Sequence, residues 1–160
     1  MLGEAVPAIW LPRAFHAAAK LYHDGQPDEA RSLLVSILER EPRHAESMFL
    51  LASIAADSGD GDTAEELLKQ AIAIDAHHPP SYALLGRLLE RRNRLEESSV
   101  CLDKALELDP EAAEAWFQKG VTLERMGRHE EAVRAFVRTL ALNHNHREAR
   151  LRLAARYQQA

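Results

Sequence analysis

Residues 113–146 read AEAWFQKGVTLERMGRHEEAVRAFVRTLALNHNH and contain one full period of an internal repeat. A step of 34 residues back from Trp116 reaches Tyr82, which is also a large aromatic residue. The same step back from Gly120 reaches Gly86. Bulky and small residues therefore return at fixed places, and a period of this length is typical of stacked helical hairpins.

The spacing inside one period predicts two helices joined by a tight turn. In the third period the apolar places four, seven and eleven hold Tyr82, Leu85 and Leu89, which line one side of an α-helix. Glycine and asparagine tolerate the left-handed backbone conformation that often ends a helix. These two residue types fill the fifteenth place of every period: Gly25, Gly59, Asn93 and Gly127.

Small residues predict where the two helices of a hairpin cross. They occupy the eighth and twentieth places: Ala18, Ala52, Gly86, Gly120, Ala30, Ala64, Ser98 and Ala132. A larger side chain there would separate the helices, because a packed interior has no spare volume.

The repeat divides the chain into three parts. We expect an N-terminal segment (1–10), then four repeats, and finally a C-terminal capping helix (147–160) with Arg150 at a place that a following repeat would bury. The four repeats are 11–44, 45–78, 79–112 and 113–146. Ile9, Trp10 and Leu11 either fold back over the first hairpin or form an exposed contact patch that could mediate homo-oligomers.

Composition excludes several classes of function. The net charge of −5 argues against a nucleic-acid partner. The sequence also contains no run of about 20 apolar residues, which a membrane-spanning helix needs. The sequence has no secretory signal, and Cys101 has no second cysteine with which to form a disulfide. We therefore expect a soluble, cytoplasmic protein.

The histidines raise the question of a metal site. His44, His78 and His146 all hold the last place of their repeat, so we interpret them as residues of the connections and not as metal ligands. We find no phosphate-binding loop, nucleophile elbow or catalytic dyad, and we therefore predict neither a cofactor nor enzymatic activity.

The chain resembles the tetratricopeptide repeat (TPR) family over residues 11–157. The matches in the third and fourth repeats are Tyr82, Leu85, Gly86, Ala105, Pro110, Trp116, Gly120, Ala132 and Phe136. The resemblance implies an all-α, right-handed superhelical solenoid of four helix–turn–helix units with a capping helix. Lys119 departs from the family pattern, which has leucine at this place, and we expect its amine to reach an acidic neighbour such as Glu131.

The resemblance also implies that the first helix of each repeat lines a concave groove that binds a protein or peptide. Applied to this sequence, it places the following residues in a peptide-binding groove: Phe15, His16, Tyr22, Phe49, Leu50, Ser53, Leu84, Arg87, Arg91, Phe117, Gln118, Val121 and Arg125.

Many of these residues are large and apolar at places that the repeat does not need for packing. Phe15, Phe49 and Phe117 share the fifth place, which favours anchors for an amphipathic helix over incidental packing between first helices. Arginines such as Arg87 and Arg91 favour an acidic end of the bound segment.

We therefore interpret the chain as a non-catalytic scaffold or adaptor for protein–protein interaction. A substrate-recruiting module of a larger bacterial transferase and a secretion or assembly chaperone for an apolar client are the alternatives. On this interpretation Phe49→Glu weakens binding without unfolding the protein, whereas Leu85→Asp unfolds it.

Overall fold

A computed structural model describes residues 10–158, and within this range the chain forms nine α-helices and no β-strand. The helices are α1 (Trp10–His23), α2 (Pro27–Arg40), α3 (Ala45–Asp57), α4 (Gly61–Ile74), α5 (Pro79–Arg91), α6 (Leu95–Leu108), α7 (Ala113–Arg125), α8 (His129–Leu142) and α9 (Arg147–Tyr157). The prediction of an all-α protein is confirmed.

The helices belong to two compact units, Met1–Ala76 and His77–Ala160. The first unit contains the hairpins α1–α2 and α3–α4, and the second contains α5–α6, α7–α8 and the single helix α9. We call α1, α3, α5, α7 and α9 the first helices, and α2, α4, α6 and α8 the second helices. None of the helices between residues 10 and 158 is long and apolar enough to cross a membrane.

The turns between paired helices have the predicted backbone conformation. The φ angles are +78° at Gly25, +84° at Gly59, +77° at Gly127 and +61° at Asn93. A Cβ atom added to any of the three glycines would meet nothing within 4 Å. Backbone conformation, and not lack of space, therefore explains why this place holds glycine or asparagine.

The two helices of a hairpin approach each other as closely as the small residues predict. A Cβ atom on Gly120 would lie 2.5 Å from Cε1 of Phe136, and one on Gly86 would lie 2.7 Å from Cγ of Leu102. Ala18 is completely buried at the same place of the first hairpin. In the hairpins α5–α6 and α7–α8, the second helix thus sets a bulky side chain directly over the eighth place of the first.

Histidine caps begin several first helices. The imidazole Nδ1 of His44 accepts the backbone N–H of Ser47, and Nδ1 of His146 accepts that of Ala149, both at 3.2 Å. His78 is the N-cap residue of α5, with its Nδ1 2.8 Å from Oγ of Ser81. The side chains of His44 and His146 therefore cap their helices as asparagine or serine usually does.

Trp10 begins α1 and packs on the core of the first unit. Its indole is partly buried, and the Arg40 guanidinium carbon lies 4.6 Å from the ring centroid. Leu11 is also partly buried against this core, whereas Ile9 lies outside the described residues.

Lys119 binds neighbours other than the predicted one. Its side chain is buried in the second unit, where Nζ donates to the carbonyl and hydroxyl oxygens of Ser99 at 3.2 and 2.6 Å. Nζ also forms an ion pair with Asp103 at 2.7 Å. The amine therefore reaches an acidic neighbour, as predicted, but this neighbour is Asp103 and not Glu131, because Lys119 faces the preceding second helix, α6.

Candidate functional site

In each unit, the first-helix face is the side of the first helices that carries the predicted groove residues: α1 and α3 in the first unit, and α5 and α7 in the second. In the first unit, His16 is exposed, Leu50 is buried, and the remaining predicted residues are half-buried: Phe15, Tyr22, Phe49 and Ser53. In the second unit, Leu84 and Phe117 are buried, Arg91 and Arg125 are exposed, and three residues are half-buried: Arg87, Gln118 and Val121.

Phe15 contacts the histidine cap of the next first helix. Its ring and the imidazole of His44 are 5.3 Å apart between centroids, in an edge-to-face arrangement. The ring is therefore partly used for packing, and only its remaining surface is open to a ligand.

Tyr22 and Asp57 join the ends of α1 and α3. The tyrosine hydroxyl donates a hydrogen bond to the Asp57 carboxylate. Both residues lie near the turns, where this bond ties two successive first helices together at the edge of the first-helix face. Tyr22 therefore links two helices through its hydroxyl group and also offers apolar surface through its ring.

Phe49 and Ser53 lie one helical turn apart on α3. Oγ of Ser53 donates to the carbonyl oxygen of Phe49 at 3.0 Å, so the hydroxyl is satisfied within its own helix. Phe49 keeps part of its ring accessible, and its assignment to a binding groove stays a prediction.

The second unit buries the phenylalanine at the fifth place. Phe117 is 4% exposed, with its ring centroid 4.4 Å from that of His146 and 5.8 Å from that of Phe136. The surface it was predicted to offer is instead packed among α7, α8 and the start of α9.

Leu50 and Leu84 are also buried, although the sequence predicted that both line the binding groove. Each is only 8% exposed, and Leu50 belongs to the core cluster of the first unit. Together with Phe117, they were expected to be surface anchors, and this expectation was wrong. The place in the repeat does not decide burial, because His16 and Gln118 at the sixth place are not buried, whereas burial of apolar area keeps Leu50, Leu84 and Phe117 in the core.

Several arginines of the second unit form ion pairs. Arg125 forms an ion pair with Glu90 and donates to Oδ1 of Asn93 at 2.9 Å, which ties α7 to the end of α5. Arg152 of α9 forms an ion pair with Glu124. The charge of these two arginines is therefore largely balanced by neighbouring carboxylates.

Arg87 and Arg91 differ from those arginines. They lie one turn apart on α5, and neither has a hydrogen bond or an ion pair with any of the residues 10–158. Arg87 is half-buried and Arg91 is exposed. Two unbalanced guanidinium groups at this spacing form the main positive feature of the first-helix face in the second unit.

Gln118 and Val121 are the remaining predicted residues of the second unit. Nε2 of Gln118 donates to Oε1 of Glu114 at 2.9 Å, so the amide is held along α7. Val121 occupies on α7 the place that Arg87 occupies on α5, and it is half-buried against the core cluster of α7 to α9.

Arg128 and Glu131 form a surface ion pair at the start of α8, and the pKa values of both side chains are shifted. A hydrogen bond from the Arg128 guanidinium, at 2.7 Å, holds the pKa of Glu131 below its ordinary value, and the same bond raises the pKa of Arg128. Among the described residues, no group of three or more histidine, cysteine or acidic side chains could hold a metal ion.

Sequence reasoning missed the histidine caps and their aromatic neighbours. The signal was present, because phenylalanine recurs at the fifth place and histidine at the last place of the repeats. Two recurring residues at fixed places of adjacent repeats indicate a contact between them as readily as two separate functions.

Family profiles described as "Tetratricopeptide repeat" match residues 15–79, 55–119 and 113–146. A comparison with curated proteins finds no significant sequence match. Among solved structures, the crystal structure of MamA is 22% identical, with a TM-score of 0.79 over 89% of this chain and 83% of that chain.

Two further solved structures are similar. PilF of Pseudomonas aeruginosa is 23% identical, with a TM-score of 0.84 over 91% of this chain and 66% of that chain. YrrB, described as having an unusual peptide-binding site, is 17% identical, with a TM-score of 0.73 over 88% of this chain and 72% of that chain. At these identities the likeness shows a shared fold.

Proposed function

Since the chain belongs to the tetratricopeptide repeat family, we propose that it is a non-catalytic scaffold for protein–protein interaction. The predicted fold class, an all-α solenoid of this family, is confirmed. Helical repeats of this kind present extended surfaces whose side chains are free to vary, and such surfaces bind proteins and peptides.

The bound segment is a helix or extended peptide that lies on the first-helix face of the second unit and carries acidic residues. Arg87 and Arg91 carry this proposal, because they are the pair of cations on that face without a partner in the described range. Guanidinium groups bind carboxylates through paired, charge-assisted hydrogen bonds. A half-buried arginine without a counter-ion gains more from such a partner than an exposed one does.

The apolar part of the bound segment has fewer anchors than the sequence predicted. Val121 retains accessible apolar surface in the second unit, as do Phe15 and Phe49 in the first, whereas Leu50, Leu84 and Phe117 belong to the core. The apolar contacts therefore supply a modest part of the affinity, and the arginine pair supplies orientation and charge selection.

Peptide selection on the immobilised protein tests this function. Peptides enriched from a random library should combine aspartate or glutamate with an apolar residue, and salt should weaken their binding. The variant Arg91→Glu should lose these peptides. Arg138→Glu is the matched control, because it reverses the charge of an exposed arginine on the second helix α8.

Phe49→Glu tests the apolar surface of the first unit separately. It should weaken binding of peptides to that unit while helicity is retained. If no acidic peptide is enriched, or if Arg91→Glu and Arg138→Glu bind the same peptides equally, the proposed surface is wrong.

A further inference from the structure

The first-helix face of the second unit carries two positive charges that no described neighbour balances. They belong to Arg87 and Arg91, which have no hydrogen bond or ion pair within the described range of the chain. Glu90 lies between them on α5, but its carboxylate forms an ion pair with Arg125 of α7. Glu90 therefore balances the arginine of α7 and leaves the two arginines of α5 without a counter-charge.

The other carboxylates of α5 and α7 are also engaged. Glu124 forms an ion pair with Arg152 of α9. Glu114 accepts a hydrogen bond from the Gln118 amide at 2.9 Å, and its second oxygen lies 3.4 Å from Nε2 of His146. These two helices contain no acidic residue besides the three glutamates. A counter-charge for the arginine pair therefore has to come from a ligand or from solvent.

The spacing of the pair suits an anion with more than two acceptor oxygens. Residues one helical turn apart have Cβ atoms about 5 to 6 Å apart, so two guanidinium groups at this spacing can reach one ligand group. A carboxylate has two oxygens and a single charge, which one guanidinium fork can satisfy. A phosphate monoester has three acceptor oxygens and a charge of about −2 at pH 7, so it can bind both forks and balance both charges.

Val121 and the net charge of the chain favour a peptide as the carrier of that phosphate. Val121 holds on α7 the place that Arg87 holds on α5, and part of its side chain is accessible. Apolar surface thus lies on the neighbouring first helix. A nucleic acid or an anionic membrane presents many negative charges at once, and the net charge of −5 opposes association with either.

We propose that Arg87 and Arg91 bind the phosphate group of one phosphorylated residue in a partner protein, with an apolar residue of the same segment on Val121. This inference rests on the function proposed above, because it names the acidic group that the same face selects. Peptides with a carboxylate in place of the phosphate bind more weakly, since they leave one guanidinium without a counter-charge.

A peptide library with a fixed central phosphoserine and random flanks, selected on the complete chain, provides the probe. The strongest binder is then made with phosphoserine, glutamate or serine at the centre, and fluorescence anisotropy measures the affinity of each form. The phosphoserine form should bind roughly tenfold more tightly than the glutamate form, because it makes a second charge-assisted contact. The serine form should bind least tightly.

The pH dependence of binding distinguishes a phosphate from a carboxylate. The phosphate gains a proton with a pKa of about 6. Between about pH 7.5 and pH 5.5, the affinity of the phosphoserine form should therefore fall towards that of the glutamate form. The glutamate form, measured over the same range, reports any change in the protein itself.

Variants locate the phosphate on the arginine pair. Arg87→Gln and Arg91→Gln should each abolish the preference, so that the phosphoserine and glutamate forms bind with similar affinity. Arg138→Gln is the matched control and should keep the preference, because Arg138 is an exposed arginine of α8 that also has no partner between residues 10 and 158. Circular dichroism checks that the half-buried place tolerates Arg87→Gln, and Arg91→Gln provides a second variant at an exposed place.

The outcomes separate this inference from the proposed function. Equal affinity of the phosphoserine and glutamate forms would overturn the inference and leave a scaffold for acidic peptides, whereas no binding of either form would overturn both. Loss of the preference in Arg138→Gln would also overturn the inference. Inorganic phosphate that displaces the peptide at equal concentration would assign the pair to a free ion instead, and vesicles of phosphatidylserine and phosphatidylcholine that bind as tightly would assign it to a membrane.

Discussion

The ring of Phe117 lies against the imidazole of His146, with 4.4 Å between the two centroids. His146 is the N-cap residue of α9, and its Nδ1 accepts the backbone N–H of Ala149. Phe15 and His44 have a similar relationship at the junction between the first and second repeats, within the first unit. An aromatic residue in one repeat therefore supports the residue that caps the first helix of the next.

Phe117→Ala should lower the free energy of unfolding by about 3 to 4 kcal/mol, because it removes a buried ring from between three helices. Leu151→Ala is the matched control, since Leu151 holds the same place on α9 but is 59% exposed. It should cost no more than about 0.5 kcal/mol. Urea denaturation measures both values, and a similar small loss in the two variants would show that Phe117 is not a core residue.

His44→Ala should destabilise the protein by about 2 kcal/mol, of which about 1 kcal/mol comes from the lost N-cap and about 1 kcal/mol from the lost contact with Phe15. His44→Asn should restore the cap but not the ring contact, and so recover roughly half of the loss. His16→Ala replaces an exposed histidine of α1 and serves as the control. Equal stability of the alanine and asparagine variants would contradict a capping role.

The 34-residue period was sufficient to predict the helices and their turns. The fifteenth place requires a left-handed backbone and the eighth a small side chain, and both requirements act within one hairpin. The fold class followed from these local constraints.

Contacts between successive repeats were harder to predict. Spacing along one helix did not show that Phe117 reaches the cap of α9, and histidine is not among the usual N-cap residues. The identity of the acidic partner of Lys119 was missed for the same reason, because Ser99 and Asp103 lie on the preceding second helix. The assignment of Arg87 and Arg91 to a binding surface stays a prediction.

Gly120→Ala should destabilise the protein although alanine is the better helix former. The added Cβ would lie 2.5 Å from Cε1 of Phe136, so the ring or the helix must move. Overpacking of this kind costs about 1 to 3 kcal/mol, against a helix-propensity gain of about 1 kcal/mol.

Ala154→Gly at the open eighth place of α9 measures the propensity contribution alone and should cost about 1 kcal/mol. Thermal denaturation of both variants separates the two effects. A stabilised Gly120→Ala protein would show that the seam between α7 and α8 has room for a methyl group.

The pair formed by Arg128 and Glu131 makes a prediction about pH. The hydrogen bond from Arg128 is the main reason why the pKa of Glu131 lies below its ordinary value of 4.5, and the charge of Arg134 contributes less. Arg128→Gln should therefore raise the pKa of Glu131 towards that value. Arg134→Gln should raise it by a smaller amount. Titration of the side-chain carboxyl carbon by NMR measures both shifts.

The same pair fixes the sign of a stability effect. Because the folded-state pKa of Glu131 is lowered, the stabilisation from this pair is complete above the unfolded-state value and is lost as the pH falls through the folded-state value. The wild type should thus lose stability below about pH 4.5 slightly more steeply than Arg128→Gln does. The difference should shrink in high salt, because the pair lies at the surface, where counter-ions screen its charges. Identical acid-unfolding curves, together with an unchanged carboxyl titration, would show that Arg128 does not hold Glu131 in its ionised form.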